Sequence, residues 1–328
     1  MQVLDRGDTA RGVSAENQGM RAARMATGTG HGLFPDDAGA DGRRGMNRLF
    51  AIYLAISGVA LFFPHRQPGW LGIALAHLYV ITLALGYRFG GSLVAVLRAG
   101  LPRVQGFLAD WYPLLLIPVL YGELEPLNRA VYGGRYFDEL IMHWEELLFG
   151  GQPSFTLPRA FNALPLSEML HAAYLSYYFI IFGPPIILYL MGRKEAFRQV
   201  VFGVMFAFFL HYIFFIYFPV QGPRYIFPAP DGVIANGYFY QLAHRILEAG
   251  SSQGAAFPSS HVGIAFAQAA LAVRVLPRLA PILFVLATFL ALGAIYGGFH
   301  YATDAVAGLV LGLLAVALAT PVRRLLSR

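Results

Sequence analysis

Eight apolar stretches, each near the length of a bilayer crossing, follow one another along the chain and leave few ways for it to fold. They cover residues 47–64, 70–87, 106–121, 172–191, 200–219, 259–275, 281–296 and 302–321. Crossing the hydrocarbon core takes about 20 apolar residues as a helix. A backbone in lipid must satisfy its own hydrogen bonds, which a helix does within one segment. Of the 328 residues, 57% are hydrophobic and 13% charged, against about 25% charged in an ordinary soluble domain. A soluble core is excluded. The expectation is an all-α, multi-pass bundle of about eight transmembrane helices. The third stretch is short and carries Asp110 and two prolines, so it is the least regular of the eight.

Charge placement sets the orientation. The 24 basic residues are 23 arginines and one lysine, Lys194. With the N-terminus inside, 18 of them fall in inner segments and 6 in outer ones, as the positive-inside rule requires. Both termini are then cytoplasmic. The net charge of +6 reflects this asymmetry and implies no nucleic-acid partner. There are no cysteines, which excludes disulfides, thiolate metal sites and cysteine nucleophiles. Residues 1–46 are polar, lack apolar periodicity and read as a disordered tail, without the apolar core of a signal peptide. The remaining organisation is N-terminal transmembrane helices over 47–121, an extracytoplasmic loop over 122–171 and a C-terminal transmembrane core over 172–328. Within the loop, Phe137, Leu140, Ile141, Trp144, Leu147 and Leu148 recur at helical spacing, with Asp138, Glu139, Glu145 and Glu146 on other faces. This reads as an amphipathic helix on the outer membrane surface, capping a site.

The polar residues out of place in lipid collect at one end of this topology. "FPVQGPRYIFP" leaves the fifth span, "FPSSH" opens the sixth, and "YGGFHYATDAVAG" joins the seventh to the eighth. Arg224, Ser259, Ser260, His261, His300 and Asp304 thus lie at similar depth on the outer side. Singly, each has a plain structural reading. An arginine anchors an interface, serines cap a helix, and a histidine with a carboxylate four residues on supports one turn. Together they suit phosphate chemistry. A helix N-terminus offers unpaired N–H groups to an anion. Serine hydroxyls add donors, and arginine supplies a planar charged fork. An imidazole can attack phosphorus or move a proton near neutral pH. A carboxylate one turn after His300 can orient its ring.

"FPSSH" followed about forty residues later by "HYATD" resembles the second and third motifs of the type 2 phosphatidic acid phosphatase superfamily, related to the vanadium haloperoxidases. "GPRY" is similar to the arginine-bearing end of the first motif. The "FPVQGPRY" form and the outer "GGQPS" most resemble the inositolphosphotransferase branch. The resemblance implies that His300 attacks phosphorus to give a phosphohistidine, and that Asp304 orients its ring. It implies that His261 protonates the leaving group and later activates the acceptor. Arg224 and Ser259, with the backbone at Ser260, would hold the phosphoryl oxygens. No metal or other cofactor is implied.

The chain departs from the family pattern twice. Tyr217 stands where the first motif usually has lysine, and Ala294 where the third often has arginine. Arg135, Arg159 and Arg245 in outer loops are candidate replacements, and a diester needing less charge neutralisation is the other resolution. The expected substrate is a lipid phosphate, pyrophosphate or phosphodiester drawn from the surrounding membrane lipids. The acceptor is water in a phosphatase, or a lipid hydroxyl in an inositolphosphoryl-type transferase. The aromatic "HAAYLSYYF" at 171–179 is either an acceptor pocket or an interface belt. Two other classes remain: a non-catalytic lipid transporter, and a metal site formed by His261, His300 and Asp304.

Overall fold

The computed structural model describes residues 39–85, 102–230 and 232–328; the expectation for 1–38 lies outside them. The described residues contain helices and no strand. Helix α1 (Gly39–Gly58) runs into a 3-10 turn (Val59–Phe62), and α2 (Trp70–Leu85) returns against it. Then come α3 (Pro102–Leu115), α4 (Ile117–Gly122) and α5 (Leu124–Tyr132). Next are α6 (Asp138–Phe149) and α7 (Pro153–Ala160). The rest is α8 (Leu164–Leu175), α9 (Tyr177–Leu190), α10 (Lys194–Tyr217), the single turn α11 (Pro223–Ile226), α12 (Tyr238–Gly250), α13 (Ser260–Val275), α14 (Ala280–Tyr296) and α15 (Ala302–Ser327).

Three segments are long and apolar enough to cross a bilayer: Arg43–Phe62, α10 and α15. Two bent pairs, Gly106–Gly122 with α5 and α8 with α9, make five if each pair is one span. Helices α2, α13 and α14 are apolar but shorter, at 16, 16 and 17 residues. Within the described residues each of the expected eight stretches falls mainly on a helix, while three to five of them meet the length criterion for a span. Helix α1 begins at Gly39, inside the stretch read from sequence as a disordered tail; Met46 is already buried in the core. The bend between α8 and α9 falls at Ser176, whose hydroxyl bonds the Ala173 carbonyl at 2.6 Å and competes with the helical ladder.

Helix α13 is the hub, packed against α9, α10, α14 and α15. Its closest neighbour is α15, and glycine makes that closeness possible. A methyl group on Gly308 would strike the backbone of Ser259, and one on Gly312 the backbone of Gly263. One on Gly263 would meet the His211 ring and the Gly308 carbonyl. Small residues four apart let two helices meet backbone to backbone. The outward faces of α14 and α15 show Ile282, Val285, Phe289, Val306, Val310 and Leu314. Such a belt of exposed apolar side chains suits lipid, not water.

Helix α6 covers the stretch read as amphipathic, with its carboxylate face turned inward. Asp138, Ile141 and Glu145 share its buried face, whereas Leu147 and Leu148 are 71% and 66% exposed. The carboxylates point into the protein and the leucines away from it, because the first have donors to meet there.

Candidate active site

Three turns build the site. Residues 219–222 and 254–256 run side by side through a single parallel bridge, with Ala256 N–H donating to the Val220 carbonyl at 2.9 Å. The third turn, 297–301, leads into α15. Gly222 has φ +99°, and a Cβ there would meet Ala256 and the Phe299 carbonyl. Only glycine gives this crossing the backbone and the space it needs.

Asp138 on α6 holds the arginine-bearing turn. One carboxylate oxygen accepts the Gln221 N–H at 2.9 Å; the other accepts the Gly222 N–H at 2.9 Å and the Tyr301 hydroxyl at 3.1 Å. Two turns on the same face, Glu145 accepts the Thr303 N–H at 2.8 Å and its hydroxyl at 3.3 Å. Burial raises the Glu145 carboxyl above its ordinary range, and the Thr303 donors oppose that shift. Burial, then Asp138, raises the Tyr301 phenol, so it stays protonated to donate.

The two expected histidines come together. His300 Nε2 lies 3.4 Å from His261 Nδ1. His300 Nδ1 is 3.0 Å from the Ala256 carbonyl and 3.5 Å from Asp304 Oδ2. The closer partner of the ring is therefore a backbone carbonyl, where the sequence pointed to Asp304. The carboxylate is instead turned to accept the Tyr301 N–H at 2.9 Å, at the start of its own helix. Burial, then the His261 ring, lowers the His300 pKa well below the ordinary imidazole value. A neutral ring donating from Nδ1 keeps a lone pair on Nε2.

The phosphate-binding candidates divide. Arg224 lines the same small hollow of about 40 Å³ as His261 and His300, where its guanidinium donates to Ser251 Oγ and to Tyr225 Oη, both at 2.7 Å. Ser259 is fully buried, and its hydroxyl accepts the Val262 N–H at 3.3 Å, the helix-capping role. Ser260, on the first turn of α13, lines a second cavity beside His261. Of the three candidate replacement arginines, Arg159 shares a third cavity with Arg224; Arg135 and Arg245 line none of the three. Among the described residues no group of three or more His, Asp or Glu side chains could hold a metal ion.

Sequence reasoning missed Asp138, Glu145 and the Ala256 carbonyl. The i, i+3, i+7 spacing of Asp138, Ile141 and Glu145 was the available signal, hidden because lipid and protein core both accept leucine. Tyr174, noted only within an aromatic stretch, places its hydroxyl 3.2 Å from His261 Nε2.

No curated protein and no solved structure matches the chain. A family model described as PAP2 superfamily matches residues 139–318. The matched region holds both histidines, Asp304, Arg224 and Tyr174, and it exceeds half of the 328 residues. The chain belongs to the PAP2 superfamily, a membership that supports an enzyme of the phosphatase or phosphotransferase type.

Proposed function

We propose that the protein is an integral membrane enzyme that transfers the phosphoryl group of a lipid phosphate or phosphodiester through a phosphohistidine on His300. The observation that carries this reading is the committed His300 ring. Its Nδ1–H is 3.0 Å from an acceptor that cannot be protonated, the Ala256 carbonyl. That leaves Nε2, 3.4 Å from His261 Nδ1, as the nucleophile, on a residue that lines the hollow together with Arg224. His300 Nε2 attacks phosphorus as the P–O bond breaks, and His261 gives the leaving oxygen a proton. In the second half His261 takes a proton from the acceptor hydroxyl, whose oxygen displaces the histidine. Arg224 and the first-turn N–H groups at Ser260 and His261 hold the phosphoryl oxygens. Ser259 keeps that turn in place as its cap. Asp304, 3.5 Å from Nδ1, offsets the positive charge that His300 gains on phosphorylation. The chain crosses the bilayer eight times in this reading, with both termini cytoplasmic and the hollow on the outer side.

A transferase reading, of the inositolphosphoryl type, is favoured by two larger cavities beside the hollow. One, of about 250 Å³, is apolar and lined by Tyr177, Tyr178, Ile181 and Phe182, with His261 at its edge. The other, of about 280 Å³, carries Ser154, Arg159, Arg224, His244 and Glu248 among prolines and aromatic rings. Ser154 Oγ is buried with no hydrogen-bond partner. A diester has two substituents to place in two cavities, whereas a monoester leaves one unfilled.

Purified protein in detergent, given lipid monoesters, pyrophosphates and diesters with and without polyol or lipid-alcohol acceptors, tests both readings. Free phosphate means a phosphatase, and a new phospholipid made only with an acceptor means a transferase. The variant His300→Ala loses turnover at least about 1,000-fold and still inserts into membranes. Retention of wild-type turnover by His300→Ala removes the nucleophile assignment.

A further inference from the structure

The hydrogen bonds around His261 form a chain whose direction is determined at one end. The Ala256 carbonyl only accepts, so His300 donates to it from Nδ1 at 3.0 Å and keeps a lone pair on Nε2. The nitrogen facing that lone pair at 3.4 Å, His261 Nδ1, must then carry a proton. His261 Nε2 is left as an acceptor, and the atom beside it at 3.2 Å is the Tyr174 hydroxyl. The Tyr174 ring lies stacked on the His261 ring, 5.1 Å between centroids, and Tyr177 approaches it at 4.3 Å. The imidazole is thus fixed in place with one nitrogen toward His300 and the other toward a single hydroxyl on α8.

We propose that Tyr174 is a positioning residue whose hydroxyl lets His261 exchange tautomers during turnover. This rests on the reading of His261 as the proton carrier. In the resting state Tyr174 donates to Nε2. With substrate bound, His261 takes a solvent proton at Nε2, becoming an imidazolium, and Tyr174 rotates its O–H to accept that N–H. His300 Nε2 then bonds phosphorus, the P–O electrons stay on the leaving oxygen, and that oxygen takes the Nδ1 proton. His261 ends neutral, protonated on Nε2 and held by Tyr174. In the second half the acceptor's O–H proton returns to Nδ1, its oxygen bonds phosphorus, and the P–N electrons return to His300. His261 then releases its Nε2 proton to solvent and the resting chain reforms. A hydroxyl serves both tautomers because it both donates and accepts; among the described residues Tyr174 is the side chain hydrogen-bonded to Nε2.

Tyr174→Phe removes the hydroxyl and keeps the ring. In protein labelled with ¹⁵N at histidine, wild-type His261 shows a protonated Nδ1 and an unprotonated Nε2. In Tyr174→Phe the Nδ1 proton stays, because His300 Nε2 still faces it, and the Nε2 resonance moves to that of an imidazole nitrogen with no donor beside it. With an alkyl phosphoester, whose alkoxide needs a proton to leave, kcat falls about 10- to 100-fold while KM stays within about twofold. With a p-nitrophenyl ester, which leaves unprotonated, kcat falls less than about threefold. An unchanged ¹⁵N pattern, or equal losses on the two esters, overturns the proposal and leaves Tyr174 as packing. The nitrogen spectra need no turnover, so they decide the tautomer claim even where the substrate panel defeats the phosphoryl-transfer reading.

Discussion

The two ends of α10 handle buried negative charge in opposite ways. At its N-terminal end one carboxylate, Asp110, gathers three cations: Arg43 at 3.3 Å, Arg198 at 3.2 Å and Lys194 at 3.9 Å. Toward its C-terminal end, roughly 36 Å away at 1.5 Å per residue, four carboxylates lean on backbone N–H groups. Asp138 holds Gln221 and Gly222, Glu145 holds Thr303, Glu168 holds Phe239, and Asp304 holds Tyr301. Among the described residues Arg224 has no ion pair at all. Long basic side chains, half exposed as Arg43 and Lys194 are, give a diffuse attraction that salt weakens. Backbone donors give short, directed bonds that fix where a turn sits. The end holding the candidate site uses the second kind, and its one motif arginine remains available to a phosphate.

Asp138→Ala should break this arrangement most severely. It strands two backbone N–H groups and the Tyr301 hydroxyl, at a cost of about 3 kcal/mol or more. Turnover should fall at least about 100-fold, because the arginine turn and the His300 turn lose their shared acceptor. Measuring thermal unfolding beside turnover checks it, and a variant within twofold of wild type in both would contradict the role given to Asp138.

Glu145 sharpens the comparison by separating charge from hydrogen bonding. Glu145→Gln keeps an acceptor for Thr303 and should hold turnover within about threefold. Glu145→Leu leaves the Thr303 N–H without a partner and should cost about 2 kcal/mol. Equal damage from the two variants would mean that the negative charge matters, and the contrast with Asp110 would weaken.

Asp110→Asn should have the smallest effect, about 1 kcal/mol or less in stability, with turnover unchanged within about twofold. That loss should shrink further at high salt. A large, salt-independent loss would show that the ionic cluster is as rigid as the end opposite.

Much of this was legible in the sequence, for identifiable reasons. Runs of apolar residues announced the helices, and the charge asymmetry between loops proposed an orientation. Arg224, His261 and His300, which line one hollow, were singled out because polar residues beside lipid stand out. The orientation of α6 was not legible: Leu147 and Leu148 suit lipid as well as protein, so periodicity could not say which face turns inward. Nor could the spacing of His300 and Asp304 reveal that a carbonyl 44 residues earlier is the nearer partner of the ring. Ser259 shows the limit of motif reasoning, since the cap and the phosphate ligand draw on the same hydroxyl.

The glycine contacts between α13 and α15 carry a mechanical consequence. His261 rides on the first turn of one helix and His300 immediately precedes the other, and between them Gly263, Gly308 and Gly312 leave no layer of side chains to compress or slide. A bilayer that thickens, thins or curves can tilt the two helices, but it tilts them as one plank. The 3.4 Å separation of the imidazoles is thereby insulated from strain in the surrounding medium.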